Sequence, residues 1–594
     1  AIQYSDGTTH NISGITYDAD GRRTAMTDGT GTTHWAYDAF NEMTASTDSL
    51  GNRVAYTYDS AGRQTTMTYP GLHTAKYAYN TANQITTITD WNNKATGFTY
   101  TADGQLHTTA YPNTTTVTNS YDNTDRPSSI ALTAGATNLA SMSYQRDNAG
   151  EISNASNAIP GANVIHAYTY TPLLQVKTDT TTTAQNYSYD AANNPTTAAA
   201  TTQAFDAASQ LCWSTTNAVT NPTCSTVPGG ATTYAYNTDG RRTQTTPASG
   251  TASTYAYNQA GELTAASTPN GSATYAYNGM GLRMTKTIGG TTTKFTYDTS
   301  SSPHNLLYDG TTYYIYGPDG NPLEQINGTA TNYYVHDQQG STVALTDSTG
   351  AVAATYAYGT YGSVTAHTGA ATTPLQYDGQ YTDVETGFVY LRARYYDPAT
   401  AQFITVDPEL AQTGSAYGFT GDNPINGIDP LGLSWYNPAS WSGAAWTAFG
   451  EDVGIGALDV VELVPTAGLD APAVMAEDAA LLGAEDSVND VIVSRSMYPE
   501  SAQHIEDAQA AGQPSELTID RSGAAARRAQ ALRGYPTQSG LDRDEYPGAM
   551  FQEGGKGSSV RYISSSDNRG SGASIGSQCG NLGDGAIVRI LIGE

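Results

Sequence analysis

Four ionisable side chains run together at Asp542-Arg543-Asp544-Glu545, directly before Tyr546-Pro547. Further on come Glu553-Gly554-Gly555-Lys556-Gly557 and Ser566-Asp567-Asn568-Arg569-Gly570. Clustered carboxylates beside arginine suit a metal-assisted attack on phosphate. The acids hold a divalent cation or take a proton from water, and the guanidinium neutralises charge that builds on the phosphoryl oxygens. Arg527, Arg528 and Arg533 punctuate a helical pattern upstream, and Arg569 lies downstream. Arginines spaced along one helix grip a phosphate backbone without reading its sequence, or else make a solvated face; no groove-reading motif accompanies them. Asp542 also has two readings, as a member of the cluster or as the partner of Arg543 or cap of a turn.

Residues 491–594 must supply the elements that hold these groups, and their pattern predicts a small α+β domain. Val491-Ile492-Val493 and Glu516–Asp520 read as strands, and Pro499–Ala511 as a helix with Ala502, Ile505, Ala508 and Ala511 at helical spacing. Ala524–Leu532 is a second helix, closed by Gly534, and Ser559–Ile563 a further strand. Ser566-Asp567-Asn568 has the look of a helix cap, so Asn568 is either a cap or a functional group. The alternating run Ala586–Ile592 is expected at the centre of the sheet. The single histidine here, His504, sits on the first helix and outside the charged run.

The remainder of the 594 residues has a different composition. The chain holds 60 Gly and 43 Tyr but only 9 Phe, with 14% charged residues, and it is rich in Thr, Ala and Asn. Thr and Tyr favour strands while Gly, Asn and Asp favour tight turns, so most of the chain should be β. The net charge is −29, yet residues 491–594 carry 10 Lys+Arg against 12 Asp+Glu. A nearly neutral tail on an acidic body suits a polyanion ligand that the body would repel. Three cysteines make no disulfide framework; Cys212 and Cys224 flank a turn-like segment and either pair or stay free, which leaves Cys579 over. No apolar run of about 18 residues exists to span a membrane. The chain opens inside a repeat without a cleavable signal, which is read as the C-terminal part of a longer polypeptide.

That repeat is the organising feature. Tyr17-Asp18, Tyr37-Asp38, Tyr58-Asp59, Tyr79-Asn80, Tyr100-Thr101 and Tyr121-Asp122 recur every 20 or 21 residues, and the beat returns from Tyr236-Asn237 to Tyr297-Asp298. Each copy predicts a strand, an Asp/Asn-x-x-Gly turn and a polar strand. One hairpin is marginal in water, so neighbours must stack into a long curling sheet, either an open scaffold or a closed shell.

A second motif follows the repeats: Tyr377-Asp378-Gly379-Gln380-Tyr381, then Glu385-Thr386-Gly387 to Asp397-Pro398, Asp407-Pro408, Asp422-Asn423-Pro424 and Asp429-Pro430-Leu431-Gly432-Leu433. Repeats and motif together resemble the Rhs (YD-repeat) family and its associated core, over roughly residues 1–433. The resemblance implies a mainly β fold: a YD-repeat hairpin spiral or cocoon over 1–365, and a core over 366–433 that plugs one end and cleaves itself after Leu433. The scissile bond is then Leu433–Ser434, with Asp407, Asp429 and Asp422 as the acids. Two carboxyls forced into a dry site share a proton, so one acts as acid and one as base. Read as residues alone, Asp407-Pro408 and Asp429-Pro430 are equally good turns.

Residues 434–490 carry ten Asp+Glu, no Lys or Arg, and apolar residues at roughly helical spacing, which predicts a helical acidic connector. Residues 491–594 resemble the NucA/NucB deoxyribonucleases, on the runs Asp542–Pro547, Glu553–Tyr562 and Ser566–Gly572. That resemblance implies a ββα-metal-like core and a metal-dependent endodeoxyribonuclease with little sequence preference. Asp544 is then the general base or its metal-bound equivalent, with Glu545 beside it and Arg543 on the scissile phosphate. Asn568, Gln578 and Glu553 are the metal-ligand candidates, and oxygen donors of this kind suit Mg²⁺ or Mn²⁺. Secreted relatives often carry a Cys pair where this chain has Leu517 and Phe551.

The expectation is an antibacterial toxin: a DNase enclosed by a repeat shell, freed by self-cleavage and delivered into a competing cell. It implies a DNA substrate, a cognate immunity protein and delivery machinery, without stable membrane insertion. Such a protein is secreted or delivered, and extracellular or cell-surface associated beforehand. The alternative is a cell-surface adhesion or glycan-binding β-scaffold whose C-terminal domain is inactive.

Overall fold

A computed structural model describes residues 1–7, 9–161, 163–433 and 435. In the C-terminal region it describes 489–495, 498–511, 513–521, 524–533, 535–536, 538, 541–564, 571, 575, 579 and 586–593. The chain divides into two compact units, Ala1–Gly468 and Leu469–Glu594. The connector expected over 434–490 lies outside the described residues, apart from Trp435 and the two residues that open a strand at Asn489.

The first unit is almost entirely antiparallel β, as composition required. Consecutive hairpins build a 27-stranded sheet from Ser13–Tyr17 to Thr291–Lys294, then an eight-stranded sheet ending at Val364–Gly369. The Tyr-Asp pair explains the stacking. Repeat tyrosines close their strands, and many donate the hydroxyl to a backbone carbonyl in the preceding hairpin. Tyr58 reaches Met43 O at 2.8 Å, and Tyr79, Tyr100 and Tyr121 reach Gln64, Ile85 and Leu106 O at 2.7 Å. The following Asp or Asn fixes the turn. Asp59 Oδ1 accepts from the amides of Ala61 and Arg63, at 2.9 and 3.1 Å, while Gly62 takes φ +77°. Arg63 donates to Asp59 Oδ2, which holds that carboxyl below its usual range, and its guanidinium lies 5.0 Å from the Tyr79 ring of the next repeat. The array runs on through residues 122–235, where the spacing of the motif lapses, because Asp147, Asp190 and Asp206 make the same turn.

The ribbon of hairpins comes back over its own beginning. Gly279 N donates to Asp28, Tyr56 to Asp298, and Tyr111 to the carbonyl of Tyr334; Thr355 donates to the carbonyl of Pro160 and Thr360 to Asp179. The largest core cluster lies between the two laps and joins Val54, Phe98, Leu132 and Met142 to Ile315, Tyr333 and Val335. Residues 381–403 form a four-stranded sheet that continues the path. Buried ion pairs tie it to the wall: Arg242 to Asp397 at 2.6 Å, and Arg283 and Lys286 to Asp383 at 2.5 and 2.8 Å. Cys212 and Cys224 form a disulfide.

In the second unit, β1 (Asn489–Ser494) runs parallel to β5 (Ile587–Gly593), and β2 (Glu516–Thr518) pairs antiparallel on its other side. The final strand is therefore central, as its alternation predicted. Helix α1 (Pro499–Ala510) buries Ala502, Ile505 and Ala508 against this sheet, and α2 (Ala524–Ala531) follows. Strands β3 (Leu541–Tyr546) and β4 (Ser559–Ser564) form an antiparallel hairpin. Leu517 and Phe551 are both buried in the core cluster, with Cys579 free and buried beside them. Apolar packing thus holds together the segments that carry Leu517 and Phe551.

Candidate active sites

Among the described residues, a carboxylate centre in each unit includes acids that the sequence singled out. In the first, Arg394 is the hub. It is buried, 3% exposed, with its guanidinium 3.6 Å from the Phe403 ring. Its Nη1 lies 3.2 Å from Asp407 Oδ2 and its Nη2 3.5 Å from Asp429 Oδ2. The same Nη2 donates to the carbonyl of Leu433 at 3.2 Å, and Nε donates to the carbonyl of Gly432. Leu433 N in turn donates to Asp429 Oδ1 at 3.1 Å. Gly432 has φ +69°, and a Cβ there would lie 3.0 Å from Arg394 N and from Leu391 O, so only glycine lets the chain pass this closely.

The two acids at this hub are differently solvated. Asp407 accepts from the amide of Glu409 at 2.8 Å and from the Thr413 hydroxyl at 2.9 Å, besides its ion pair. Burial pushes Asp429 up to about 6, against the pull of Arg394. A third buried acid, Asp378, is raised well above the usual carboxylate range by burial and by Asp337 and Asp429. Neither of its oxygens has a hydrogen-bond donor among the described residues. Asp422 is placed elsewhere: it accepts from Gln175 Nε2 at 3.1 Å, and burial pushes it up to about 8. Ser434 lies outside the described residues.

In the second unit, β3 divides the charged run between its two faces, because successive strand side chains point in opposite directions. Asp542 and Asp544 share one face, and Arg543 and Glu545 the other. On the first face, Asp544 Oδ2 is 2.7 Å from His504 Nδ1, and His504 Nε2 is 2.9 Å from Ser559 Oγ. With Nδ1–H donating to the carboxylate, Nε2 accepts from the serine hydroxyl, so a neutral imidazole satisfies both contacts. His504 is fully buried. Arg561 stands directly across the ladder from Asp544, on the same face, with Nη2 2.7 Å from Asp507 Oδ2. Ser571 Oγ meets Ser501 Oγ at 2.8 Å, so residue 571 packs on the same helix that carries His504.

The opposite face is distinct. Glu545 is half-buried and raised by burial, which Arg528 opposes at 3.4 Å. The backbone amide of Ala549 also opposes the rise. Arg543 donates to the carbonyl of Tyr535 at 2.7 Å. Glu545 is therefore beside Asp544 in sequence but not in space, a difference that follows from strand pleating alone.

Other sequence-derived candidates are placed as follows. Arg527 is turned inward, donating to Asp520 and to the carbonyl of Ala549, whereas Arg528 and Arg533 are exposed. Glu553 accepts from Thr518 N and Oγ1 at 2.8 and 2.9 Å, which fixes it to β2. Asn568, Arg569 and Gln578 lie outside the described residues. Sequence reasoning overlooked Arg394, His504, Ser559 and Arg561. His504 offers one weak signal, a polar ring among the buried positions of an amphipathic helix; Arg394 offers another, a charge inside an aromatic strand run.

Known proteins supply the remaining context. The Teneurin YD-shell family model matches residues 109–425, and the RHS Repeat model residues 17–53 and 37–74. A DNA-entry nuclease of Bacillus subtilis is 50% identical over 95 residues, 16% of this chain and 65% of that protein. The tRNA nuclease WapA of the same organism is 32% identical over 207 residues, 29% of this chain and 9% of WapA. The chain thus spans under two thirds of either relative. A Photorhabdus luminescens Tc holotoxin pore superposes on 72% of this chain and 24% of its own, with TM-score 0.55 and 16% identity, a likeness of fold. With a family model covering more than half its length and the Tyr-Asp hairpin array visible in the structure, the chain belongs to the YD-shell (Rhs) family.

Proposed function

We propose that this chain is a self-processing toxin whose C-terminal unit is a metal-dependent, sequence-nonspecific endodeoxyribonuclease. The observation that carries the reading is the 50% identity over 95 residues to a DNA-entry nuclease, which we assign to residues 491–594. The working face of the hairpin is the one with Asp542, Asp544 and Arg561, since residue 571 packs on the same helix as His504. Asp544, fixed by His504, takes a proton from the attacking water, and Arg561 neutralises charge on the phosphate. Exposed Arg528 and Arg533 hold the flanking backbone through its charge.

Among the described residues, no three His, Cys, Asp or Glu converge on a cation. The donor set still fits Mg²⁺ or Mn²⁺, with carboxylate oxygens from Asp542 and Asp544 on one face and Asn568 and Gln578 as further oxygen donors. Such an ion supplies charge neutralisation and a more acidic water. Glu553 is held by Thr518 and is left out of this set.

The first unit cuts the chain after Leu433. Water adds to the Leu433 carbonyl carbon and gives its proton to Asp407, while Arg394 Nη2 holds the carbonyl oxygen. Asp429, which burial pushes up to about 6, gives its proton to the Ser434 nitrogen as the C–N bond breaks. The products are a Leu433 carboxylate and a Ser434 amine.

Full chain incubated with plasmid and Mg²⁺ should degrade it, and a chelator should stop the reaction. Intact plasmid in both arms would overturn the nuclease reading and favour an inactive adhesion scaffold. WapA is named as a tRNA nuclease, so tRNA is the comparison substrate; cleavage of tRNA alone would replace DNA with RNA. A denaturing gel of the same sample should show a fragment beginning at Ser434. An immunity protein and a delivery system complete the proposal, by analogy with the family.

A further inference from the structure

We infer that Trp435 is a positioning residue for self-cleavage, docked on a platform made by Gly421 and Gly427; the inference rests on the reading that the chain cuts itself after Leu433. A Cβ built on Gly421 would lie 2.9 Å from Trp435 Cζ2 and 3.1 Å from its Cε2 and Nε1. A Cβ on Gly427 would lie 2.9 Å from Trp435 Cε3 and 3.3 Å from its Cζ3. The two glycines therefore lie against the indole, and any side chain on either would displace it. Thr420 Cβ closes in on the same spot, 3.2 Å from the Gly427 Cβ position.

This platform is fixed to the shell. Asn423 Nδ2 donates to Glu151 Oε2 at 2.7 Å, and Asn426 accepts from Ile152 N and donates to the Tyr170 hydroxyl, both at 3.0 Å. On the upstream side, Arg394 holds the carbonyls of Gly432 and Leu433, and Asp429 holds Leu433 N. The bond to be cut thus lies between two anchors, residue 433 on the Arg394 hub and residue 435 on the glycine platform. Anchoring on both sides keeps the Leu433 carbonyl on the guanidinium. A misplacement of about 1 Å at a reacting centre costs up to roughly 10²-fold in rate. Trp435 remains 48% exposed, so its ring packs on one side only and the first unit does not depend on it for a core.

The experiment follows processing of the full chain over time by denaturing gel, with the new N-terminus read by mass spectrometry. Trp435→Ala is expected to slow cleavage by roughly tenfold or more, and Trp435→Phe, which keeps a flat ring, to restore most of it. Gly427→Ala is expected to slow cleavage without backbone strain, since Gly427 does not need positive φ. Equal rates for wild type, Trp435→Ala and Gly427→Ala would overturn the platform while leaving self-cleavage intact. A wild-type chain that stays whole would overturn the cleavage reading and the platform with it. Loss in Trp435→Ala that Trp435→Phe fails to rescue would also count against ring docking.

Discussion

The two carboxylate centres were assembled in opposite ways. At the Arg394 hub, Asp407, Asp429, Gly432 and Leu433 meet within hydrogen-bonding or ion-pairing distance of one guanidinium. On β3, two adjacent carboxylates, Asp544 and Glu545, part to opposite faces and acquire unrelated partners, His504 and Arg528. Proximity along the chain is thus a poor guide to a shared site when the element is a strand. The hub is also deeper: Asp429 is 2% exposed, whereas the Asp544 face lies at the edge of a two-stranded hairpin. Arg394 pairs with both buried acids of the hub.

The comparison breaks most visibly by removing the hub. Asp429→Asn keeps the shape but removes the transferable proton, so cleavage should fall by about 10²–10⁴-fold, the usual worth of general acid–base catalysis. A gel showing unchanged processing would detach Asp429 from the chemistry. Next comes the split run. Asp544→Ala should lower plasmid degradation by about 10²–10⁴-fold, while Glu545→Gln should leave it within a few-fold. Equal losses in both variants would mean that the two faces act together after all. His504→Gln, which removes the ring that contacts Asp544 and Ser559, should cost roughly 10–100-fold, as second-sphere partners do.

Acidity sharpens the same contrast. Asp422, pushed up to about 8, Glu262 to about 7, and Asp337 and Asp429 to about 6 all lie in the first unit. The folded state binds more protons than the unfolded chain between pH ~4 and those values, so these acids make the first unit's stability fall as pH rises through this window. Thermal melts from pH 5 to 9 should show a declining midpoint, and self-cleavage should fade above about pH 6 as Asp429 loses its proton. A midpoint that rises with pH would contradict these buried acids. The smallest effect belongs to the repeats: Tyr79→Phe removes one hydroxyl bond between hairpins and should cost about 0.5–1.5 kcal/mol in chemical denaturation.

Much of the architecture was legible because it is local. The Tyr-Asp beat states where each strand ends and each turn begins, and the alternation at 586–592 placed β5 at the centre of its sheet. Even so, the beat fell silent between Tyr121 and Tyr236 while the hairpins continued, since Asp147, Asp190 and Asp206 made the turns at irregular spacing.

By itself the sequence determined the β character, the hairpin unit, the acidic body with its neutral tail, and the two stretches where chemistry was to be sought. Backbone propensities and side-chain periods act over a few residues, so a single chain spells them out. Only the tertiary structure decided that Arg394 gathers Asp407, Asp429 and Leu433, that Asp422 stands apart beside Gln175, and that a histidine forty residues upstream steadies Asp544. Those contacts depend on how distant segments are brought together by packing and on which face of a strand each side chain takes, and no local pattern encodes either.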